Sequence, residues 1–438
     1  MEQSLDISRG RVGTFLSTWR SLSFAEKTVS VLIVLLPVWW FIGLDYIYLP
    51  LLLGVAGCEL WRYGRIRLGP PRPEILAFLA FAAYVVINAN VQGDKITGHS
   101  ILSPLLQWGG GALLLWYIQS NGIRVRLKVV LWAMAILISE MLLVWAFGQF
   151  VLGEETVPIV RSLTGYLLDK GERYVEGAGS SNYLRLLDSA NGSNFLGRGR
   201  FTAFIGHPEF AGQALACVCL LALSGGGSWL LLLGSSSLFL LLLTGTRSAL
   251  VGLVVVVAIR YFFSVSKLGG LATLWGLVAI ISFSVLSIPP ITETIVDSFS
   301  GTVQSTGNFR RRSTEVRQLI YQRTIERLGE SPLFGHGVPG RTVLPGYAPA
   351  QIGSHSFILG SLFYCSGIVG TILFVAFWTL FTGWLWQTRF DRPDCAVLSI
   401  LMFTGMSTVV AFEISRMSII LLFVMISAAR DMSTQDRI

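Results

Sequence analysis

The chain has 438 residues, 53% of them hydrophobic and only 13% charged, with a mean hydropathy of +0.64 and a formal net charge of +8. A water-exposed domain this apolar would aggregate, so the composition excludes a soluble globular enzyme and points to an all-α, polytopic membrane protein. The net charge says little by itself; its placement among the loops says more.

Residues 1–27 are polar and basic and lack the short apolar core and small-residue site of a cleavable signal. Beyond them, apolar runs predict about twelve helical spans in a single membrane domain over 1–438. They fall at 28–43, 46–61, 74–91, 99–119, 129–152, 201–224, 229–243, 248–264, 270–288, 357–386, 396–413 and 417–429. The first pair reads as a tight hairpin turning at Asp45. Several spans are short for a bilayer, which implies tilt or re-entrant pieces. Five cysteines, Cys58, Cys217, Cys219, Cys365 and Cys395, lie in or beside these spans. They give neither a disulfide framework nor a metal-ligand spacing.

Orientation comes from the short loops. Arg62, Arg65, Arg67 and Arg72 follow the second span, Arg124, Arg126 and Lys128 the fourth, and Arg389 and Arg392 the tenth. With the basic N-terminus and Arg430 they share one side if both termini are cytoplasmic, with Arg416 as the exception. The two long loops, 153–200 and 289–354, then both face out of the cytoplasm.

The first loop is Gly/Ser/Asn-rich at 177–182, a composition of turns rather than of a packed domain. The second carries Arg310, Arg311, Arg312, Arg317, Arg323, Arg327 and Arg341 on the side where basic residues are scarce. Within it Thr314–Leu328 predicts an amphipathic helix, capped by Ser313 or Thr314, with Val316, Leu319, Ile320 and Leu328 on its apolar stripe. A helix lying in the headgroup region is the plain alternative. The loop re-enters the membrane through Gly353-Ser354-His355-Ser356.

All four histidines, His99, His207, His336 and His355, map to the outward half. Each alone reads as an ordinary interfacial residue, but His355 stands at the re-entry point, where a neutral imidazole can take a proton from a hydroxyl. Arg247 lies in the turn Leu243-Thr244-Gly245-Thr246-Arg247, and Arg200 precedes the sixth span, seven residues before His207. Either arginine can snorkel as an anchor. With the loop arginines they also form a clamp suited to a pyrophosphate, because guanidinium grips phosphate oxygens bidentately. No phosphate-binding loop or dinucleotide fingerprint is present, and the cytoplasmic loops are too short for a nucleotide-sugar domain. Nothing points to nucleic acid.

Three segments resemble the O-antigen ligase and O-antigen polymerase (Wzy-type) superfamily of bacterial membrane glycosyltransferases. They are Arg200–Gly212 (RFTAFIGHPEFAG), the LTGTRSA turn around Arg247, and SPLFGHGVPG at 331–340 with His355-Ser356 and Gly367–Gly370. Glu209 stands where the family commonly has asparagine. The resemblance implies a GT-C-like fold in the bacterial inner membrane and a donor glycan on undecaprenyl pyrophosphate. It implies no metal and no cofactor, and companions drawn from membrane lipids and other polysaccharide assembly proteins. His355 would be the catalytic base. Arg200, Arg247, Arg323 (foremost among the loop arginines) and Arg317 would bind pyrophosphate, with His207, Glu209 and His336 as further candidates. The acceptor would be another lipid-linked repeat unit, making a polymerase, or lipid A core, making a ligase. A long, polar first loop favours polymerase. A secondary transporter of a small anion is the reading from a different class. It asks for charges deep in several spans and an internal repeat, whereas only Glu140 lies mid-span.

Overall fold

The computed structural model describes residues 19–43, 48–92, 104–152, 160–167, 183–196, 199–265, 307–344, 350–410 and 416–429. It is mostly helical. Helix α1 (Phe24–Val34) starts from a capping box, in which Ser23 Oγ accepts from Glu26 N at 3.2 Å and Glu26 Oε2 accepts from Ser23 N at 2.9 Å. Helix α2 (Leu36–Ile42) follows after a 59° bend beside Pro37, which cannot extend the hydrogen-bond ladder. Then come α3 (Tyr48–Tyr63), α4 (Pro73–Val91), α5 (Gly110–Ser120, entered through a π-helical turn at Leu105–Gly109) and α6 (Leu127–Val151). The second half holds α7 (Pro208–Gly225), α8 (Gly227–Thr244), α9 (Arg247–Val265), α10 (Gly307–Arg327), α11 (Phe357–Gln387), α12 (Asp394–Met406) and α13 (Arg416–Ser427).

Helix therefore occupies every expected span except 270–288, which lies outside the described residues, as do Asp45, His99 and residues 177–182. Among the described residues, five helices (α4, α6, α7, α8 and α11) are long and apolar enough to cross a membrane, or six with α1 and α2 as one bent span. These apolar helices make the chain a membrane protein; the expected twelve crossings are matched by five or six of full length among the described residues.

Three expectations need correction. The sixth span begins at Pro208 rather than at 201, because Gly199–Phe201 is a strand (β2) paired antiparallel with Leu187–Ser193 (β1). This hairpin departs from the all-α expectation; its connection, 194–198, turns at Asn194, whose Oδ1 accepts from Leu196 N at 2.8 Å. The eleventh span ends at Met406, where residues 407–409 turn away. Helix α10 starts at Gly307, so Ser313 and Thr314 lie within it rather than at its start; an arginine run favours helix and carries it past them.

The packing is inside-out relative to a soluble protein. Helix α7 is the most buried crossing helix, at 78%, yet has the lowest mean hydropathy of the five, 1.3; α6, at 2.2, is only 39% buried. Small residues Ala211, Gly212, Ala214 and Ala216 let neighbours close on α7, whereas bulky apolar side chains elsewhere face lipid. A second seam joins α4 to α11 through aromatic rings: Phe78 stacks on Phe377 at 4.0 Å and Phe81 meets Phe374 edge-on at 5.2 Å.

The bundle has two polar ends. At one, Arg67 pairs with Glu59 at 3.1 Å, Arg126 with Glu26 at 2.6 Å, Arg124 with Asp391 at 3.2 Å and Arg260 with Asp394 at 3.3 Å. Val125–Arg126 also bridges to Ala428–Ala429. The basic short loops and both ends of the described chain thus meet on one side, as the charge pattern expects. The opposite end holds the hairpin, the Thr244–Arg247 turn, α10 and the entry to α11.

Candidate functional site

The second end is built around the start of α7. His207 caps that helix, its Nδ1 accepting from Glu209 N at 3.3 Å, and Pro208 takes the first helical position, where no N–H is needed. Thr246 Oγ1 donates to Pro208 O at 2.8 Å, which ties the α8–α9 turn to the same point. Arg200 reaches over from β2 and grips that turn. Its Nε donates to Thr244 O at 2.6 Å and its Nη2 to Thr246 Oγ1 at 3.1 Å. Only 8% exposed, Arg200 is a buried brace whose planar fork spans two acceptors. The next residue along the turn, Arg247, is exposed and makes no ion pair or hydrogen bond among the described residues.

Two residues that the sequence did not single out complete the hairpin side. Arg185 and Asp188 are buried and paired at 3.6 Å, and Asp188 lies opposite Arg200 in the β1–β2 register. Arg185 Nη2 also donates to Gly206 O at 3.5 Å, just before His207. A buried charge costs several kcal/mol unless paired, so this cluster holds together only as a set. The signal available in the sequence is an arginine and an aspartate three apart, Arg185-Leu186-Leu187-Asp188, in an otherwise polar loop.

Helix α10 brings the loop arginines, and its rotation decides which of them arrives. Arg317 forms an ion pair with Glu209 of α7. Arg323 does not face this site; it pairs with Glu326 on the same helix at 3.0 Å, with 55% of its side chain exposed. Arg327 faces Glu330 at 3.8 Å. The inward face of α10 is Ile320 and Thr324, both fully buried. Thr324 Oγ1 donates to Ile320 O at 2.6 Å and accepts from Gly353 N at 2.9 Å. A threonine inside an apolar stripe was missed because its role depends on a contact 29 residues away.

That contact sets His355. Gly353 has φ +79°, and a Cβ there would lie 2.3 Å from Tyr364 Cδ1, so only glycine fits. His355 follows at φ 71°, the one non-glycine residue in the left-handed region among the described residues. Ser356 then caps α11: its Oγ accepts from Leu359 N at 3.1 Å and donates to Thr408 O at 2.8 Å. Backbone strain at a histidine pinned on both sides marks a position that its surroundings over-determine.

The imidazole is half-buried. Its Nδ1 lies 2.8 Å from Ser354 Oγ, and that oxygen also lies 2.6 Å from Gln351 O. A carbonyl only accepts, so the single hydroxyl proton goes to Gln351 O, and Ser354 Oγ takes its hydrogen from Nδ1. Nε2 is then left with its lone pair. Burial, together with the charge of Arg317, holds the His355 pKa down at about 4, against an opposing pull from Glu209. The ring is neutral at pH 7.

His336 sits apart. Its ring packs on Tyr364 at 4.3 Å, its Nε2 lies 3.6 Å from Glu330, and burial lowers its pKa. The segment around it is structural. Gly335 and Gly367 meet backbone to backbone, and a Cβ on Gly335 would lie 2.6 Å from Gly367 N. Asn88 Nδ2 of α4 donates to Phe334 O at 2.8 Å and Cys365 O at 2.9 Å, and fastens the loop to the entry of α11. The structure thus gathers His355, Arg317, Glu209, His207 and Arg200 around the start of α7, places Arg247 on the adjoining turn, and leaves Arg323 and His336 outside.

Residues 229–375 match the family model described as O-Antigen ligase. The matched stretch takes in Arg247, Arg317, Arg323, His336 and His355, and it supports the resemblance to the O-antigen ligase and polymerase superfamily. Arg200, His207 and Glu209 fall before it. No curated protein matches the chain.

Proposed function

We propose, from the O-antigen ligase domain at residues 229–375, that this membrane protein is a glycosyltransferase of bacterial surface polysaccharide assembly. It takes a glycan from an undecaprenyl-pyrophosphate donor, needs no metal, and works at the outer face of the inner membrane with both termini cytoplasmic. The observation that carries this reading is the meeting of a neutral, sterically pinned His355 with Arg317 and the Arg200-braced turn of Arg247. The basic loops clustered at the opposite end support the orientation.

In this reading the acceptor hydroxyl gives its proton to His355 Nε2 as its oxygen bonds to the anomeric carbon. The bond from that carbon to the pyrophosphate oxygen breaks in the same displacement. Arg247 and Arg317 offset the charge that grows on the leaving pyrophosphate, and Arg200 keeps Arg247 in place. The polyprenyl tail enters sideways from the lipid.

A polymerase, extending another lipid-linked repeat unit, is the acceptor reading we favour, because the first long loop is polar enough to hold a growing glycan. A ligase acting on lipid A core is the second, favoured by the description of the matched family. Purified protein in liposomes, given a defined lipid-pyrophosphate oligosaccharide and each acceptor in turn, tests both. Longer lipid-linked chains identify the polymerase, and glycan on the core identifies the ligase. His355→Ala should abolish either product at equal protein abundance. Full activity in that variant removes the base assignment, and no transfer by the wild type to either acceptor removes the reading.

A further inference from the structure

The Glu209–Arg317 ion pair joins the first turn of α7 to α10 beside His355. A carboxylate is an odd neighbour for a pyrophosphate site, since the two anions repel. It also claims the same planar fork that a phosphate would use. The N-terminus of α7 stabilises one anion there through its aligned N–H groups, be it the Glu209 carboxylate or a ligand phosphate. The Glu209 side chain is 14% exposed and that of Arg317 37%, so the arginine is the partner open to approach from outside.

We propose that Glu209 gates the donor site: it occupies Arg317 while the site is empty, and a lipid-linked pyrophosphate must take Arg317 from it. The inference rests on the pyrophosphate reading given above. It also ties donor binding to the base. Among the described residues the charged or titratable groups acting on His355 are Arg317 from α10 and Glu209 and His207 from the start of α7. While Arg317 is paired with Glu209, the imidazole feels both charges. Once Arg317 turns to phosphate, the carboxylate is left facing the imidazole and favours its protonated form, which strengthens His355 as a base when the donor is present.

A purely structural pair predicts the opposite sign. If Glu209 only staples α10 to α7, its loss loosens Arg317 and weakens donor binding. The test measures binding of undecaprenyl pyrophosphate by wild type and Glu209→Gln in detergent, with turnover of the lipid-linked donor measured alongside. The gate predicts binding tighter by about threefold, the scale of a partly exposed ion pair, together with lower turnover at saturating donor. Glu209→Asn, the residue the family commonly carries, should shift binding the same way and guards against a misfolded glutamine variant. Unchanged or weaker binding in both variants overturns the gate while leaving the glycosyltransferase reading intact. A wild type that does not bind undecaprenyl pyrophosphate overturns both.

Discussion

At the scale of single residues, the arginines near the start of α7 do different work, and lysine substitution separates it. Arg200 holds two acceptors with one fork, Thr244 O and Thr246 Oγ1. A lysine reaches one of them at a time, so the turn carrying Arg247 loses its brace. Arg247→Lys keeps the charge but loses bidentate contact with phosphate. Both variants should transfer at least about tenfold more slowly, about 1.4 kcal/mol of barrier. Arg62→Lys, exposed in the last turn of α3 at the other end, should be silent. Full turnover in both outer variants would make these arginines anchors.

His355 gives a pH test of its own. Its pKa is lowered from 6.5 to about 4 in the folded protein, so the base form persists until the pH falls through about 4. The acid limb of kcat/KM should therefore lie near pH 4, and a limb at 6 to 7 would point to a different group. The sign for stability follows from the same shift. Between about 6.5 and 4 the unfolded chain binds a proton that the folded chain refuses, so stability falls as pH drops through that window. His355→Gln should flatten that part of the melting profile.

At the scale of elements, helices were legible because long apolar runs need no tertiary information to announce themselves. The facing of α10 was not, because it depends on partners far away in the chain. Nor was the hairpin, because its strands are short and polar and sit in a Gly/Ser/Asn-rich loop. Counting along α10 shows why Arg323 does not share a face with Arg317. Six residues on from Arg317, it points about 120° away, whereas Thr324, seven residues on, returns to within about 20°. Composition marks the helix as basic; only docking on α11 and the hairpin fixes which side faces in. His355 was legible because loop re-entry fixes its place in the chain, but its left-handed backbone was not. The helix makes its own prediction. Thr324→Val keeps the shape but leaves the buried Gly353 N–H without an acceptor, a cost of about 1–3 kcal/mol. Turnover should fall with a lowered melting temperature, and Thr324→Ser should restore both. A valine variant with normal turnover would show that Thr324 does not position His355.

At the scale of the whole molecule, everything rests on which polar end faces the cytoplasm. The end holding Arg67, Arg124 and Arg126 is crowded with loop cations only partly neutralised by acids, and the side chains of Arg67 and Arg124 are 52% and 66% exposed. Short loops of that character stay on the side of synthesis. The opposite end carries its arginines against α7 and on α10, an arrangement held by docking and not by the need to remain unexported. Labelling with a membrane-impermeant maleimide decides between the two orientations. Of the native cysteines Cys58 is exposed and Cys365 half-buried, so both are first replaced by serine. Gly329, beyond α10, has open space around its Cα and accepts a cysteine without clash. Ile66, in the loop after α3, is 40% exposed. With only the outer membrane opened, Gly329→Cys should label and Ile66→Cys should not; Ile66→Cys should label once the inner membrane is breached. The reverse order would turn the molecule over. It would put His355 and its arginines in the cytoplasm, and the proposed transfer at the outer face would have to be abandoned whatever the fit of the site.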